Sequence, residues 1–386
     1  MRIAMDATAA VRQQAGVGRF ARGLLAGLAL VDPDNEYVLL TTGRARIALP
    51  AHDLPARHHW LRLPISERLA TIAWQRARLR PSPAQLVRGA GLFVTPDYAL
   101  PEVGRLPAAV TVHDLSFLLF PECADDGLRR YLEKVTPRSL DRASLVLAVS
   151  HTTAAALTAL LGVAPERIVV VGNAVEARFA PVALAEEVEQ GKSLEERFRL
   201  QPGYLLTVGT LEPRKNLVRL LGAYAALRSR WARRHTAQPC PLLVIAGREG
   251  WRFEPIFRET ARLGVGPWVR FFTRVRDEDL LTLYRGAGAF VCASLYEGFG
   301  IPPLEAMACG VPVASSTGGA LTEVLGDAAQ RFDPQDIEGM SAALETVLTD
   351  DDARARLIEA GRARAAAYTW EGSARAALAA FMKVAA

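Results

Sequence analysis

At 386 residues, half of them hydrophobic and 23% charged, the chain exceeds what one hydrophobic core supports and has the balance of a globular protein of two or three domains, two being the simpler reading. The net charge of +5 and pI near 9.2 fit an anionic substrate, an anionic membrane surface or nucleic acid, although no basic and aromatic motif recurs in the manner of a nucleic-acid binder. Four cysteines without a Cys-x-x-Cys pair suggest neither zinc nor disulfides and read as free buried thiols; no apolar run reaches the ~20 residues of a membrane span, and the early charge in Met-Arg-Ile-Ala-Met-Asp is unlike a signal peptide, so the expected location is the cytosol.

Short apolar runs alternate with longer helical patterns throughout, the signature of βαβ units and parallel sheets, so the fold class is α/β. The expected strands of the first half are Arg2 to Asp6, Tyr37 to Thr42, Leu92 to Thr95, Ala108 to His113, Leu145 to Ser150 and Ile168 to Val171. Those of the second are Tyr204 to Val208, Leu242 to Ala246, Val269 to Thr273, Ala289 to Ser294, Val311 to Ala314 and Gln330 to Asp333. Between them, Glu176 to Gln201 has Pro181, mixed charge and no apolar strand. The expected division is therefore 1–180, a linker at 181–201, a second domain at 202–368, and a helix at 369–386 that is free to pack back on the first domain.

The unusual polar and glycine features follow strands directly, where open parallel sheets bind ligands. Gly16-Val-Gly18-Arg-Phe-Ala21 matches a dinucleotide fingerprint, but it lies some ten residues past its strand and the second strand ends without an acidic residue, so that reading is rejected. Ser66 to Arg88 interleaves Arg68, Arg76, Arg78, Arg80 and Arg88 with apolar residues; it reads as a domain helix with a solvated face, or as a stretch lying on anionic membrane. His113, at a strand end, is a candidate ligand contact, with Asp114 orienting it or capping the next turn; Ser150 reads as a helix N-cap and Asn173 as a structural turn. Gly209 and the adjacent cations Arg214 and Lys215 follow the first strand of the second half, where two positive charges would offset charge building on a diphosphate. In Glu297-Gly-Phe-Gly-Ile-Pro-Pro-Leu-Glu305, two prolines open a helix right after the glycines, so backbone N–H groups from Gly298, Phe299, Gly300 and Ile301 can meet an anion, with Glu297 and Glu305 on either side for hydroxyls. Gly318-Gly319 form a further loop after a strand, of a type that commonly closes around a nucleotide, while Glu323 reads equally as a nucleotide contact or as a helix N-terminal carboxylate favoured by the dipole.

The run Glu-Gly-Phe-Gly-x-Pro-x-Leu-Glu-Ala-Met-Ala-x-Gly-x-Pro-Val resembles the Glu-x7-Glu signature of glycosyltransferase family 4, with Ala293 where many members have proline. Val208 to Leu217 is similar to that family's Gly-x5-Lys-Asn pattern, and the resemblance covers nearly the whole chain. It implies a GT-B fold of two Rossmann-like domains facing across a cleft, and a retaining, metal-independent transfer from a nucleoside diphosphate sugar to a glycan or lipid-linked acceptor. It also implies that Glu297 contacts the donor sugar, Glu305 the ribose, Gly298 to Ile301 the diphosphate, His113 the sugar or its phosphates, and Gly16 the donor phosphate or the acceptor. The motifs look most like bacterial mannosyltransferases of surface polysaccharides, so GDP-mannose is the first donor, with UDP sugars left open. No cofactor or metal is expected, and location is cytoplasmic with allowance for the inner membrane face. The competing readings are a nucleotide-sugar epimerase of the same fold and a non-catalytic nucleotide-sugar-binding subunit.

Overall fold

The computed structural model describes residues 1–13, 16–44, 47–66, 69–70, 72–76, 79–182, 187–234 and 238–385. Two compact units emerge, one built from Met1–Leu119, Asp126–Ala174 and Tyr368–Ala386, the other from Phe120–Asp125 and Val175–Ala367.

The first unit holds a seven-stranded, all-parallel sheet: β1 (Arg2–Asp6), β2 (Glu36–Thr42), β3 (His58–Leu63), β4 (Leu92–Thr95), β5 (Ala108–Val112), β6 (Leu145–Ala148) and β7 (Ile168–Val170), in the order β3-β2-β1-β4-β5-β6-β7. β4, β5 and β6 are buried at every position, which is why they read as unbroken apolar runs instead of alternating ones. β3 escaped the sequence reading. It is an edge strand, His-His-Trp-Leu-Arg-Leu, half-buried to exposed along its length and without β-branched residues, and only its pairing with β2 defines it.

The second unit holds six parallel strands, β8 (Tyr204–Val208), β9 (Leu243–Ala246), β10 (Val269–Phe272), β11 (Ala287–Cys292), β12 (Val313–Ser316) and β13 (Ala329–Phe332), in the order β10-β9-β8-β11-β12-β13. In each sheet the order reverses at one place, between β1 and β4 and between β8 and β11, and loops diverge there to leave a crevice at the carboxyl ends. β12 starts two residues later than expected because Pro312 has no N–H for the ladder, although its carbonyl accepts from Phe290.

The stretch 181–201 contains a helix, Glu187–Phe198, that belongs to the second unit: Leu194 is fully buried and Gln190 donates to the Thr282 carbonyl at 2.7 Å. Of the Ser66 to Arg88 stretch, residues 67, 68, 71, 77 and 78 lie outside the described residues; Leu69, Ile72 and Leu79 are solvent-exposed, and Pro83–Leu86 forms a short helix with a Ser82/Gln85 capping box. Of the four cysteines, Cys123, Cys292 and Cys309 are buried and Cys240 is half-buried.

The C-terminal helix Trp370–Ala385 packs on the helix Val17–Val31 within the first unit. Its approach needs glycine: a Cβ on Gly23 would lie 2.0 Å from the Trp370 ring, and one on Gly27 2.2 Å from the Trp370 carbonyl. Gly23→Ala is therefore expected to destabilise the first unit by about 1–3 kcal/mol through overpacking, a loss that adding Trp370→Ala partly relieves. Urea denaturation of the two single variants and the double variant checks this, and strict additivity would contradict the packing.

Candidate active site

In the first unit, Gly16 is the N-cap of the helix Val17–Val31 and adopts φ 53°, with open space where a side chain would stand. Its requirement is conformational, since a left-handed backbone at that cap strains any L side chain. His113 directly follows β5. Its Nε2–H donates to the Pro96 carbonyl at 2.8 Å, which places the lone pair of a neutral ring on Nδ1. Phe20 meets the imidazole edge-on at 5.1 Å between centroids, and Tyr98 lies at 5.9 Å. Asp114 caps the next turn by accepting from the Ser116 N–H at 2.8 Å. Ser150 is the N-cap of the helix His151–Leu161, accepting from the Thr153 N–H.

In the second unit, β8 runs into Gly209 and then a single turn, Pro213–Lys215, that carries both cations. Asn216 ends the turn in the left-handed region, φ 59°, which asparagine tolerates, and this redirects the chain into the helix Leu217–Arg234. The buried Asn216 amide donates to the carbonyls of Ala293 and Pro334, pinning the turn against the end of β11.

Glu297 arrives from β11 and meets those cations. One carboxylate oxygen accepts from Lys215 Nζ at 2.6 Å and from Ser294 Oγ at 2.6 Å; the other accepts from Arg214 at 2.9 Å. Arg214 also donates to the Tyr296 carbonyl at 2.7 Å and to Glu212 at 2.8 Å. All four charged side chains are less than one-fifth exposed, and two carboxylates balance two cations. Burial pushes the Glu297 carboxyl upward, but the charges of Lys215 and Arg214 and the hydrogen bonds from Lys215 and Ser294 outweigh it and hold it down at about 2. Gly319 supports the Glu297 backbone: the two pair as an isolated bridge, and a Cβ on Gly319 would lie 2.3 Å from the Glu297 carbonyl oxygen.

After Glu297, the turn Gly298 to Gly300 leads into the helix Ile301–Ala308, whose N-cap is Gly300. Pro302 and Pro303 carry no N–H, so of the first three helical residues only Ile301 offers a backbone donor, and an anion here relies on the preceding turn as much as on the helix. Glu305, 1% exposed, accepts from the Tyr284 hydroxyl at 2.8 Å. Gly209, Lys215, Cys292, Ser294, Glu297 and Pro302 line a recess of about 10 Å³, room for roughly one water. The structure thus brings Gly209, Arg214, Lys215 and Glu297 together beside the Gly298 to Ile301 turn at the β8/β11 reversal, gives Glu305 a separate partner, and carries His113 and Gly16 in the other unit.

Two residues of this network were not singled out from sequence. Glu212 stands two positions before Arg214, and its proximity to a cation pair was the available signal; Tyr284 sits in the helix before β11, with nothing in the local pattern to mark it, whereas Ser294, expected as the end of its strand, lies two residues past β11.

Residues 15–179 match the family model "Glycosyltransferase Family 4" and residues 192–364 the model "Glycosyl transferases group 1". The chain is similar to "O-antigen chain mannosyltransferase B" of Escherichia coli, 37% identical over 72% of this chain and 71% of that protein. It is also similar to "Serotype-specific mannosyltransferase WbdA" of Escherichia coli, 30% identical over 70% of this chain but only 33% of that longer protein. Among solved structures, "Sucrose-phosphate synthase (tll1590) from Thermosynechococcus elongatus" superimposes with TM-score 0.75 over 99% of this chain and 98% of that one, at 19% identity, a likeness of fold.

Because the Glu297 pKa is depressed, its stabilisation is present above the ordinary carboxyl value near 4.5 and is lost as pH falls toward about 2. Glu297→Gln is accordingly expected to destabilise the second unit at pH 7 by about 3 kcal/mol, with the gap from the parent protein closing between pH 4.5 and 2. Denaturation midpoints measured across that range check it; a gap independent of pH would remove the electrostatic explanation.

Proposed function

The chain belongs to glycosyltransferase family 4, and on that premise we propose that it transfers mannose from GDP-mannose, with retention at the anomeric carbon, to a hydroxyl of a glycan or lipid-linked glycan. It is a glycosyltransferase of the GT-B fold, with two Rossmann-like units of seven and six parallel strands. The observation that carries the donor assignment is the Lys215–Glu297–Arg214 contact at the sheet reversal, beside a glycine turn that opens a helix. The mannosyl assignment rests on the two Escherichia coli relatives.

Transfer breaks the bond from sugar C1 to the β-phosphate oxygen, the electron pair stays on the departing phosphate, and the acceptor hydroxyl bonds to C1 as its proton passes to that phosphate. Lys215 has three N–H donors and reaches Glu297 with one, so it can serve the phosphate as negative charge grows there. Arg214, held by Tyr296, Glu297 and Glu212, supplies fixed positive potential and keeps Glu297 aimed. The backbone from Gly298 to Ile301 receives the diphosphate together with Gly209, Glu297 the donor sugar and Glu305 the ribose; in the first unit, His113 serves the sugar or its phosphates and Gly16 the donor phosphate or the acceptor. In this reading the two cations and the helix N-terminus take the place of a divalent metal.

Transfer to a mannoside acceptor should therefore persist in excess chelator and fall by about 10²-fold or more in Lys215→Ala. GDP at 100 times its Kd should stabilise the protein by about 2.7 kcal/mol. Stabilisation by UDP alone would replace the donor, a metal requirement would remove the metal-free mechanism, and isomerisation of donor without acceptor would mark an epimerase.

Peripheral contact with anionic membrane at the cytoplasmic face is part of the proposal, supported by Leu69, Ile72 and Leu79, exposed at 56, 38 and 56%, near Arg80 and Arg88. Co-sedimentation with phosphatidylglycerol vesicles should weaken in a Leu69→Asp/Leu79→Asp variant; undiminished binding would exclude this surface.

A further inference from the structure

Two helices flank β11 in the chain: Asp277–Gly286 runs into its start, and Ile301–Ala308 opens after the glycine turn at its end. Tyr284 stands in the last turn of the first helix and Glu305 in the second, and their side chains meet. The Tyr284 hydroxyl donates to a Glu305 carboxylate oxygen at 2.8 Å, with the two residues 0% and 1% exposed. The ring that carries this hydroxyl is seated on two sides. Phe179 meets it edge-on at 5.7 Å between centroids, and Phe290 of β11 lies tilted against it at 5.8 Å. Its helix is pinned as well, since Tyr204 of β8 donates its hydroxyl to the neighbouring Leu283 carbonyl at 2.7 Å. Tyr204 and Tyr224, buried in the same unit, satisfy their hydroxyls on backbone carbonyls; that of Tyr284 goes to a carboxylate of the helix that follows the glycine turn.

We propose that Tyr284 is a positioning residue for nucleotide binding: by fixing the Glu305 carboxylate, it makes the protein select a nucleoside diphosphate whose ribose carries its hydroxyls. The inference rests on the reading of Glu305 as the ribose contact and adds the residue through which that contact works. A carboxylate only accepts hydrogen bonds, so it matches hydroxyl donors and repels a further phosphate. A glutamate side chain has several rotamers, and confining it to one on binding is entropically unfavourable. The phenol O–H confines this carboxylate within the fold itself, so that entropy is lost on folding and the ribose meets an acceptor already aimed. The same bond is charge-assisted and offsets part of the desolvation of a carboxylate that is 1% exposed. Without the phenol oxygen the carboxylate would turn toward other donors, and the loss would fall on the ribose contact and not on the diphosphate.

The test is calorimetric titration of the full chain with GDP and with dideoxy-GDP, which lacks both free ribose hydroxyls, and in parallel with UDP and dideoxy-UDP. The parent protein should prefer the ribose form, and Glu305→Gln should remove most of that preference. Tyr284→Phe should weaken binding of the ribose form by about tenfold, the size of a hydrogen bond to a charged group, and leave the dideoxy form within about twofold of the parent. Phe179→Leu loosens the seat of the ring and keeps its hydroxyl, so it should lower the same preference by a smaller factor. Circular dichroism verifies each fold, and Phe179→Leu decides if Tyr284→Phe does not fold, an unchanged preference there counting against the proposal. Equal weakening of both forms in Tyr284→Phe, or of neither, would overturn the positioning role while leaving Glu305 with the ribose. A parent protein indifferent to the ribose hydroxyls, or a preference that survives Glu305→Gln, would instead remove the reading of Glu305 and the proposal with it.

Discussion

The second unit depends on one arrangement: two cations brought to the end of a buried sheet by a single turn, and a carboxylate from the neighbouring strand that meets both. Lys215 and Arg214 are each less than one-fifth exposed, and without a counter-charge their desolvation would be unfavourable by several kcal/mol. Glu297 supplies that charge, Ser294 and Glu212 complete it, and Asn216 and Gly319 fix the two backbones that carry it. Two cations and two carboxylates balance within the cluster, so in the proposed role a diphosphate would share donors that are already ordered. Such pre-ordered charge costs little reorganisation when the leaving group develops its own.

Sheet topology explains why this chemistry falls where it does. In both units the chain builds outward from one strand, β1 or β8, and then returns to its other side at β4 or β11. Connections diverge at that point, so a crevice forms without any element being displaced to make room. One crevice is lined by a lysine and a neighbouring glycine turn, the other by two aspartates, threonines and aromatics. The same backbone plan is lined differently by the residues that end its strands.

Strands covered on both faces must be apolar and announce themselves, as β4, β6 and β9 do, while the half-buried β7, β10 and β13 were legible from their alternation with helical patterns, so that among the described residues twelve of thirteen strands were read. β3 was not, because an edge strand with exposed histidines and an arginine has no such requirement. The glycine turn before Ile301 and the Arg214–Lys215 pair were also legible, since each depends on residue types at fixed local spacing. The Tyr284–Glu305 contact joins side chains from separate helices, and no local pattern encodes such a meeting, whereas Ser294 and Glu212 meet Glu297 and Arg214 within their own turns. The loop at Gly318 and Gly319, read as closing on a nucleotide, carries the backbone of Glu297 from below. Asp114, left between two roles, caps a turn.

The path of the chain has a biosynthetic consequence. Phe120–Asp125 belongs to the second unit although both its flanks belong to the first, with Trp251 donating to the Cys123 carbonyl at 2.7 Å and Arg252 to that of Glu122. The helix Trp370–Ala385 completes the first unit only after the whole of the second has been made. On the ribosome, the earlier sheet must wait with the groove over Gly23 and Gly27 uncovered while nearly two hundred residues are added. The first unit therefore cannot be completed before the second has been synthesised: its earlier part is a docking surface for its own last helix.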